Sequence, residues 1–142
     1  MKKLAILLFT VIAACTFPKD SKDSFEEARN SALKVGLTEN PPYVILQGEE
    51  PKGFEVEMLR EFASKEGLKV EFNKGSESEL IDQLHKFELH IVAGGMDKKT
   101  VWKKKAGLTT TYDDRHVFLI PKGENRLLEH LEKFIFSKKK QQ

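Results

Sequence analysis

The sequence predicts an α/β fold built on a mostly parallel sheet of about five strands. Three observations predict it. Short extended segments (Leu33–Leu37, Leu68–Phe72, Leu89–Ala93 and Val117–Ile120) alternate with stretches of helical period. The helical stretches carry start and stop signals, such as Ser76 three residues before Glu79 and Gly67 after an amphipathic run. Val117–Ile120 is apolar without alternation, as expected of a parallel strand covered on both faces.

Taken in order, Ser24-Phe25-Glu26-Glu27 has capping-box spacing and predicts a short helix to about Ala32. Leu33–Leu37 alternates as a first strand. Asn40-Pro41-Pro42-Tyr43 is a loop, because two prolines remove donors and forbid helix. Val44–Leu46 is a short extended piece, followed by a turn over Gly48–Lys52. Gly53–Gly67 is a helix, with Phe54, Met58, Leu59, Phe62 and Ala63 on one face. Leu68–Phe72 is a second strand. A capped helix follows from Ser76, with Leu80, Leu84 and Phe87 in a stripe. Leu89–Ala93 is a third strand, ending at Gly94-Gly95. A short basic helix over Thr100–Ala106, an extended Leu108–Thr111, the apolar Val117–Ile120 and an amphipathic helix from Glu124 to about Ser137 complete the chain. Lys138–Gln142 is a solvated tail. No internal repeat is present.

Lys2 and Lys3 precede an apolar run, Leu4–Val11, and then Ile12-Ala13-Ala14-Cys15. This resembles the lipobox of bacterial lipoproteins, in which a lipid is attached to the cysteine thiol and the chain is cut before it. The reading assigns residues 1–14 to a signal peptide, makes Cys15 the lipidation site, and implies an extracytoplasmic, membrane-anchored protein. The alternative is an ordinary secretory signal with Cys15 left free. The run is too short for a membrane span, which needs about 20 apolar residues. Residues 15–32 are expected as a tether and short helix, 33–137 as one lobe and 138–142 as a basic tail. The sole cysteine excludes an internal disulfide. With Lys2 and Lys3 removed the formal charges balance, so no global field points to nucleic acid.

Four segments in order resemble the family 3 extracellular solute-binding proteins, which deliver polar solutes to ABC importers. They are Leu33–Leu37 with Pro41-Pro42-Tyr43; Gly53-Phe54-Glu55-Val56-Glu57; Glu88–Met96 with its Gly94-Gly95 turn; and Leu108–Tyr112. The resemblance covers about Leu33–Ile120. It implies a three-layer lobe of the periplasmic-binding-protein type, with ligand at the carboxyl ends of the strands. Carried over by position, the ligand-binding candidates are Thr38, Asn40, Tyr43, Gly94, Gly95, Met96, Asp97 and Trp102. Physical readings run alongside. Glycines let backbone N–H groups approach a ligand, or simply make a tight turn. Tyr43 is a flat wall or a cap on the core edge. Glu55 and Glu57 are most simply charges favouring the helix N-terminus.

Two departures from the family pattern stand out. The family places threonine after its Gly-Met pair and, five residues later, an arginine that clamps a ligand carboxylate; here these are Asp97 and Trp102. Lys98, Lys99 and Lys103–Lys105 restore positive charge, as point charges or as a solvated face. The second departure is larger. Val117–Ile120 takes the place of the strand that leaves the first lobe, and it runs directly into what resembles the family's closing helix. The resemblance thus implies a first lobe with the second excised.

Function follows as an expectation. The chain reads as a lipid-anchored module that binds a small polar solute or a protein partner, linked to an ABC permease or completed by a second copy. The other readings are an interaction or structural lipoprotein that kept the scaffold, or a dehydratase-like enzyme. No cofactor or metal is expected: His85, His90, His116 and His130 lack ligand spacing. No serine sits in a nucleophile elbow, so no catalytic residue is assigned.

Overall fold

In the computed structural model, described for residues 20–142, the strands form one sheet in the order β2-β1-β3-β5-β4. The elements are α1 (Ser24–Asn30), β1 (Leu33–Leu37), α2 (Phe54–Glu66), β2 (Val70–Lys74), α3 (Glu77–His85), β3 (Ile91–Asp97), a 3-10 turn (Val101–Lys104), β4 (Gly107–Leu108), β5 (His116–Ile120) and α4 (Asn125–Lys139). The lipobox residues and Cys15 lie outside the described residues.

β1 pairs in parallel with β2 and β3. β5 is inserted antiparallel between β3 and β4, so β1 to β4 share one direction and β5 opposes them. This corrects the expectation that Val117–Ile120 is a parallel strand. A continuous apolar run records burial on both faces, not the direction of the neighbours. Both faces of β5 are indeed covered. Phe118 and Ile120 enter one core with Leu33, Val35, Leu37, Leu59, Phe62 and Leu131. Val117 and Leu119 enter a second core with Leu80, Leu84, Leu89 and Val92. These cores are the two interfaces of a three-layer sandwich. Among the described residues, the two cores together run from Phe25 to Ile135.

Element boundaries shift for local reasons. β2 starts at Val70 and not Leu68, because the Leu68 N–H turns back to the Ala63 carbonyl to close α2 (2.7 Å). The Ser76/Glu79 capping box forms as expected. α1 is capped by Asp23, not Ser24: the Ser24 N–H instead donates to Glu124 Oε2 at 2.6 Å and the side chain is buried. Asp20 accepts from the first N–H groups of α4, at Asn125 and Arg126 (both 2.9 Å). Residues 20–24 are therefore fastened to the start of α4, and Phe25 and Ala28 bring α1 into the first core.

β3 runs four residues beyond the expected end. Its pairing with β5 slips between Val92 and Met96, a β-bulge at Ala93-Gly94-Gly95. Glycines that signal a turn in sequence here let the strand bulge and resume.

Candidate functional site

The carboxyl ends of β1 and β3 meet at this bulge. Thr38 follows β1 and donates its N–H to the Ala93 carbonyl (3.1 Å). Gly94 faces Thr38 so closely that a Cβ would collide with its methyl group. Gly95 has φ +65°, and a Cβ there would stand 2.6 Å from Asn40 Nδ2 and 2.7 Å from the Tyr43 ring. Glycine at both positions thus lets the loop after β1 lie directly on β3.

Bulging releases backbone polar groups from the ladder, and side chains take them up. The Asn40 amide donates to the Gly94 carbonyl at 2.8 Å. The Gly95 N–H donates to Glu55 Oε2 at 2.9 Å. Glu55 lies in the first turn of α2 and is fully buried. Its other oxygen accepts from the Tyr112 hydroxyl at 2.6 Å. Burial pushes the Glu55 carboxyl above its usual range, against the lowering effect of the Tyr112 hydroxyl and the Gly95 and Gly94 backbone. Burial, followed by the neighbouring Glu55 charge, likewise raises the Tyr112 phenol.

An aromatic wall completes this end of the lobe. The His116 ring lies 4.5 Å from the Tyr43 ring and 5.9 Å from Tyr112, which in turn packs on Phe118 and the half-exposed Phe54. Asp113 holds His116 in place: one oxygen lies 2.6 Å from Nδ1, and the other accepts from the His116 and Arg115 N–H groups. Partial burial works against the Asp113 charge, but these donors outweigh it and keep the carboxyl below its ordinary value.

The sequence-derived candidates divide accordingly. Thr38, Asn40, Tyr43, Gly94 and Gly95 form one contiguous cluster. Asp97 ends β3 beside it, accepting from the Lys99 N–H (2.7 Å) and pairing with Arg115 (3.3 Å). Its carboxylate therefore engages one backbone N–H at the start of the turn, whereas Thr100 caps the 3-10 helix. The Met96 side chain points into the second core. Trp102 also packs there, with its indole N–H on Glu77 (2.8 Å), over the sheet and away from the cluster.

Sequence reading missed Glu55, Tyr112, Asp113, Arg115 and His116. Glu55 left a signal: it shares a helical stripe with Leu59 and Phe62, so an acid occupies a core-facing position. The others come from a loop whose approach to Tyr43 is set only by the β3–β5 register. Among the described residues no group of three or more His, Cys, Asp or Glu side chains is placed to hold a metal ion. No helix among them is long and apolar enough to cross a membrane.

Comparison with known proteins agrees with this architecture. Domain 1 of TmArgBP in its arginine-bound form superposes with a TM-score of 0.73 at 21% identity, covering 79% of this chain and 97% of that one. An ancestral cationic amino acid solute binding protein superposes with a TM-score of 0.75 at 15% identity, covering 83% and 94%. At such identities the likeness establishes the fold. In sequence, the membrane-bound lytic murein transglycosylase F of Vibrio campbellii is 26% identical over 143 aligned residues, 93% of this chain and 27% of that protein. The enzyme of the same name from Vibrio cholerae is 30% identical over 94 residues, 65% and 18% of the two chains. The chain thus spans about a quarter or less of these relatives' length. The model of the bacterial extracellular solute-binding proteins, family 3, matches residues 33–142, and the chain belongs to that family.

Proposed function

We propose that this chain is an envelope-anchored, one-lobe receptor that binds a small polar solute through the strand-end face at Thr38, Asn40, Tyr43, Gly94 and Gly95. Lipid on Cys15 is its anchor. A partner, such as a permease or a second copy, supplies the opposite wall when tight binding is needed. Its role is binding and not catalysis. The family description and the membrane-bound relatives support an extracytoplasmic location. The observation that carries the reading is the bulge itself: two elements are brought within van der Waals contact at the end of the sheet where open α/β folds take ligands.

The same geometry limits affinity. The freed carbonyl of Gly94 and N–H of Gly95 are already held by Asn40 and Glu55, and Asp97 occupies Arg115. A ligand carboxylate must compete with Asp97 for that guanidinium. One wall also buries only part of a ligand, whereas small-molecule sites bury most of it. Free amino acids are therefore expected to bind no better than about millimolar, roughly −4 kcal/mol. The names of the relatives make murein fragments a second ligand class to include.

The test is a thermal-shift screen of residues 20–142 against amino acids, small organic acids and murein fragments. A ligand that binds the native state raises the midpoint by mass action. The reading predicts small shifts at high concentration that Gly95→Ala and Tyr43→Ala remove. A screen with no shift from any class would favour the alternative that the satisfied bulge suggests, a scaffold that holds itself closed and meets only proteins.

A further inference from the structure

The lobe has a second exposed surface, which starts beside the strand-end face at Lys98 and runs to the opposite end of the sheet at Gly107. Between β3 and β4 the sequence Lys98-Lys99-Thr100-Val101-Trp102-Lys103-Lys104-Lys105 wraps over the sheet. Val101 stands at its crest, 76% exposed and the most exposed large apolar side chain of the described residues. Trp102 is half-buried beneath it. Lys98, Lys99 and Lys103–Lys105 flank both in sequence. Lys98 reaches the Asp114 carbonyl (2.9 Å), Lys105 pairs with Asp82 (3.2 Å), and Glu77 takes the Trp102 indole N–H. Lys99, Lys103 and Lys104 have no side-chain partner among the described residues.

This turn lies beside the place where the chain leaves for Cys15. The Lys122 ammonium donates to the Lys104 carbonyl at 2.7 Å, joining the 3-10 turn to the Pro121–Glu124 corner. A Cβ on Gly123 in that corner would stand 3.1 Å from Ser21 Oγ, and Asp20 caps α4 next to it. The corner follows Ile120, at the end of the sheet where β3 begins and opposite the bulge. Fully extended, the backbone from Asp20 back to Cys15 reaches at most about 18 Å.

The geometry points to the Val101–Lys105 turn, with Lys122, as a docking surface for an anionic lipid bilayer, holding the anchored lobe with its strand-end face turned away from the membrane. An apolar tip with an adjacent tryptophan, flanked by lysines, matches the headgroup boundary, where acyl chains meet phosphate charge. A lipid on Cys15 would tether the lobe without fixing its orientation, and a basic patch beside the anchor supplies that orientation. The orientation rests on lipidation at Cys15, but the surface chemistry does not.

The test uses residues 20–142, which lack Cys15 and hold both described cores, so its outcome is independent of lipidation. Lipidation is read separately, by detergent partitioning of the full chain against Cys15→Ser. Vesicles of phosphatidylcholine alone are compared with vesicles that also contain phosphatidylglycerol. Trp102 is the only tryptophan, so its emission reports on the patch directly. The expected result is sedimentation with anionic vesicles only, a blue shift of Trp102 emission, and release by salt. Lys103→Glu with Lys104→Glu should weaken binding at least about twentyfold, counting roughly fivefold per lysine. Val101→Asp should abolish the blue shift. These side chains are exposed, and unchanged melting of the variants confirms folding. The proposal is overturned if anionic vesicles do not bind, if the lysine pair has no effect, or if emission is unchanged on binding. It is equally overturned if a soluble polyanion or acidic protein binds through these residues while vesicles do not.

Discussion

Removing one hydroxyl tests the link between the fold and the strand-end face. Tyr112→Phe deletes the donor to Glu55 Oε1 and leaves the ring in its place against Phe118, Phe54 and His116. Glu55 then keeps only the Gly95 N–H as a close donor. A hydrogen bond to a buried charged group is worth about 1.5–3 kcal/mol, and a neutral one about 1. The loss should therefore depend on the protonation of Glu55. Its folded-state pKa lies above the unfolded value of 4.5, so the folded protein holds the proton more tightly. By linkage the wild type loses stability as pH rises from the unfolded value through the folded one. Deleting the Tyr112 hydroxyl raises the folded value further and deepens that loss. Below 4.5 the carboxyl is neutral in both states, and Tyr112→Phe should destabilise by about 1 kcal/mol. Once the pH passes the raised folded value the difference should grow to about 2–3 kcal/mol, or roughly 6–15 °C in Tm for a domain of this size. Urea unfolding at a series of pH values measures it. A difference that stays constant with pH, or is larger in acid than above the raised folded value, would refute the assignment of a buried ionisable Glu55 as the partner of Tyr112.

Other perturbations follow from the same contacts. Phe118→Asp should abolish folding by circular dichroism, because loss of a core Phe alone costs about 3–5 kcal/mol and an unpaired buried charge adds to it; Phe118 is fully buried, so a folded variant would contradict the two-sided covering of β5. Gly95→Ala should destabilise by more than about 1–2 kcal/mol from left-handed strain alone; amide exchange should quicken at Asn40 and Tyr43, which the new methyl displaces, and an unchanged pattern there would contradict the bulge geometry. Asp97→Thr frees Arg115 and should tighten binding of carboxylate ligands several-fold by calorimetry. Its partner Arg115→Ala should cancel that gain; no gain, or a gain that survives Arg115→Ala, would refute the competition.

Much of this architecture is legible in the chain because burial leaves a periodic trace. The stripe Met58, Leu59, Phe62, Ala63 and the Ser76/Glu79 box locate α2 and the start of α3 with little ambiguity. Strand direction is different. Val117–Ile120 is apolar because two cores cover it, and nothing in its composition distinguishes antiparallel from parallel neighbours. Site residues follow the same division. Thr38, Asn40, Tyr43, Gly94 and Gly95 sit next to recognisable strand ends. Arg115 and His116 become neighbours of Asp97 and Tyr43 only through a register that no local pattern encodes. Trp102 shows the reverse case. Its position in a motif suggests a ligand group, but Glu77 and the second core provide an indole with all it needs.

The central claim is that the strand-end face is the binding surface of a one-lobe receptor. The most direct measurement is an amide chemical-shift titration of labelled residues 20–142 with arginine, glutamate, glutamine and a murein peptide. The account predicts saturable shifts, with dissociation constants near or above about millimolar, confined to Thr38–Tyr43, Gly94–Asp97 and the Tyr112–His116 loop. Shifts elsewhere on the lobe, no shift from any ligand, or micromolar binding of a free amino acid would contradict it.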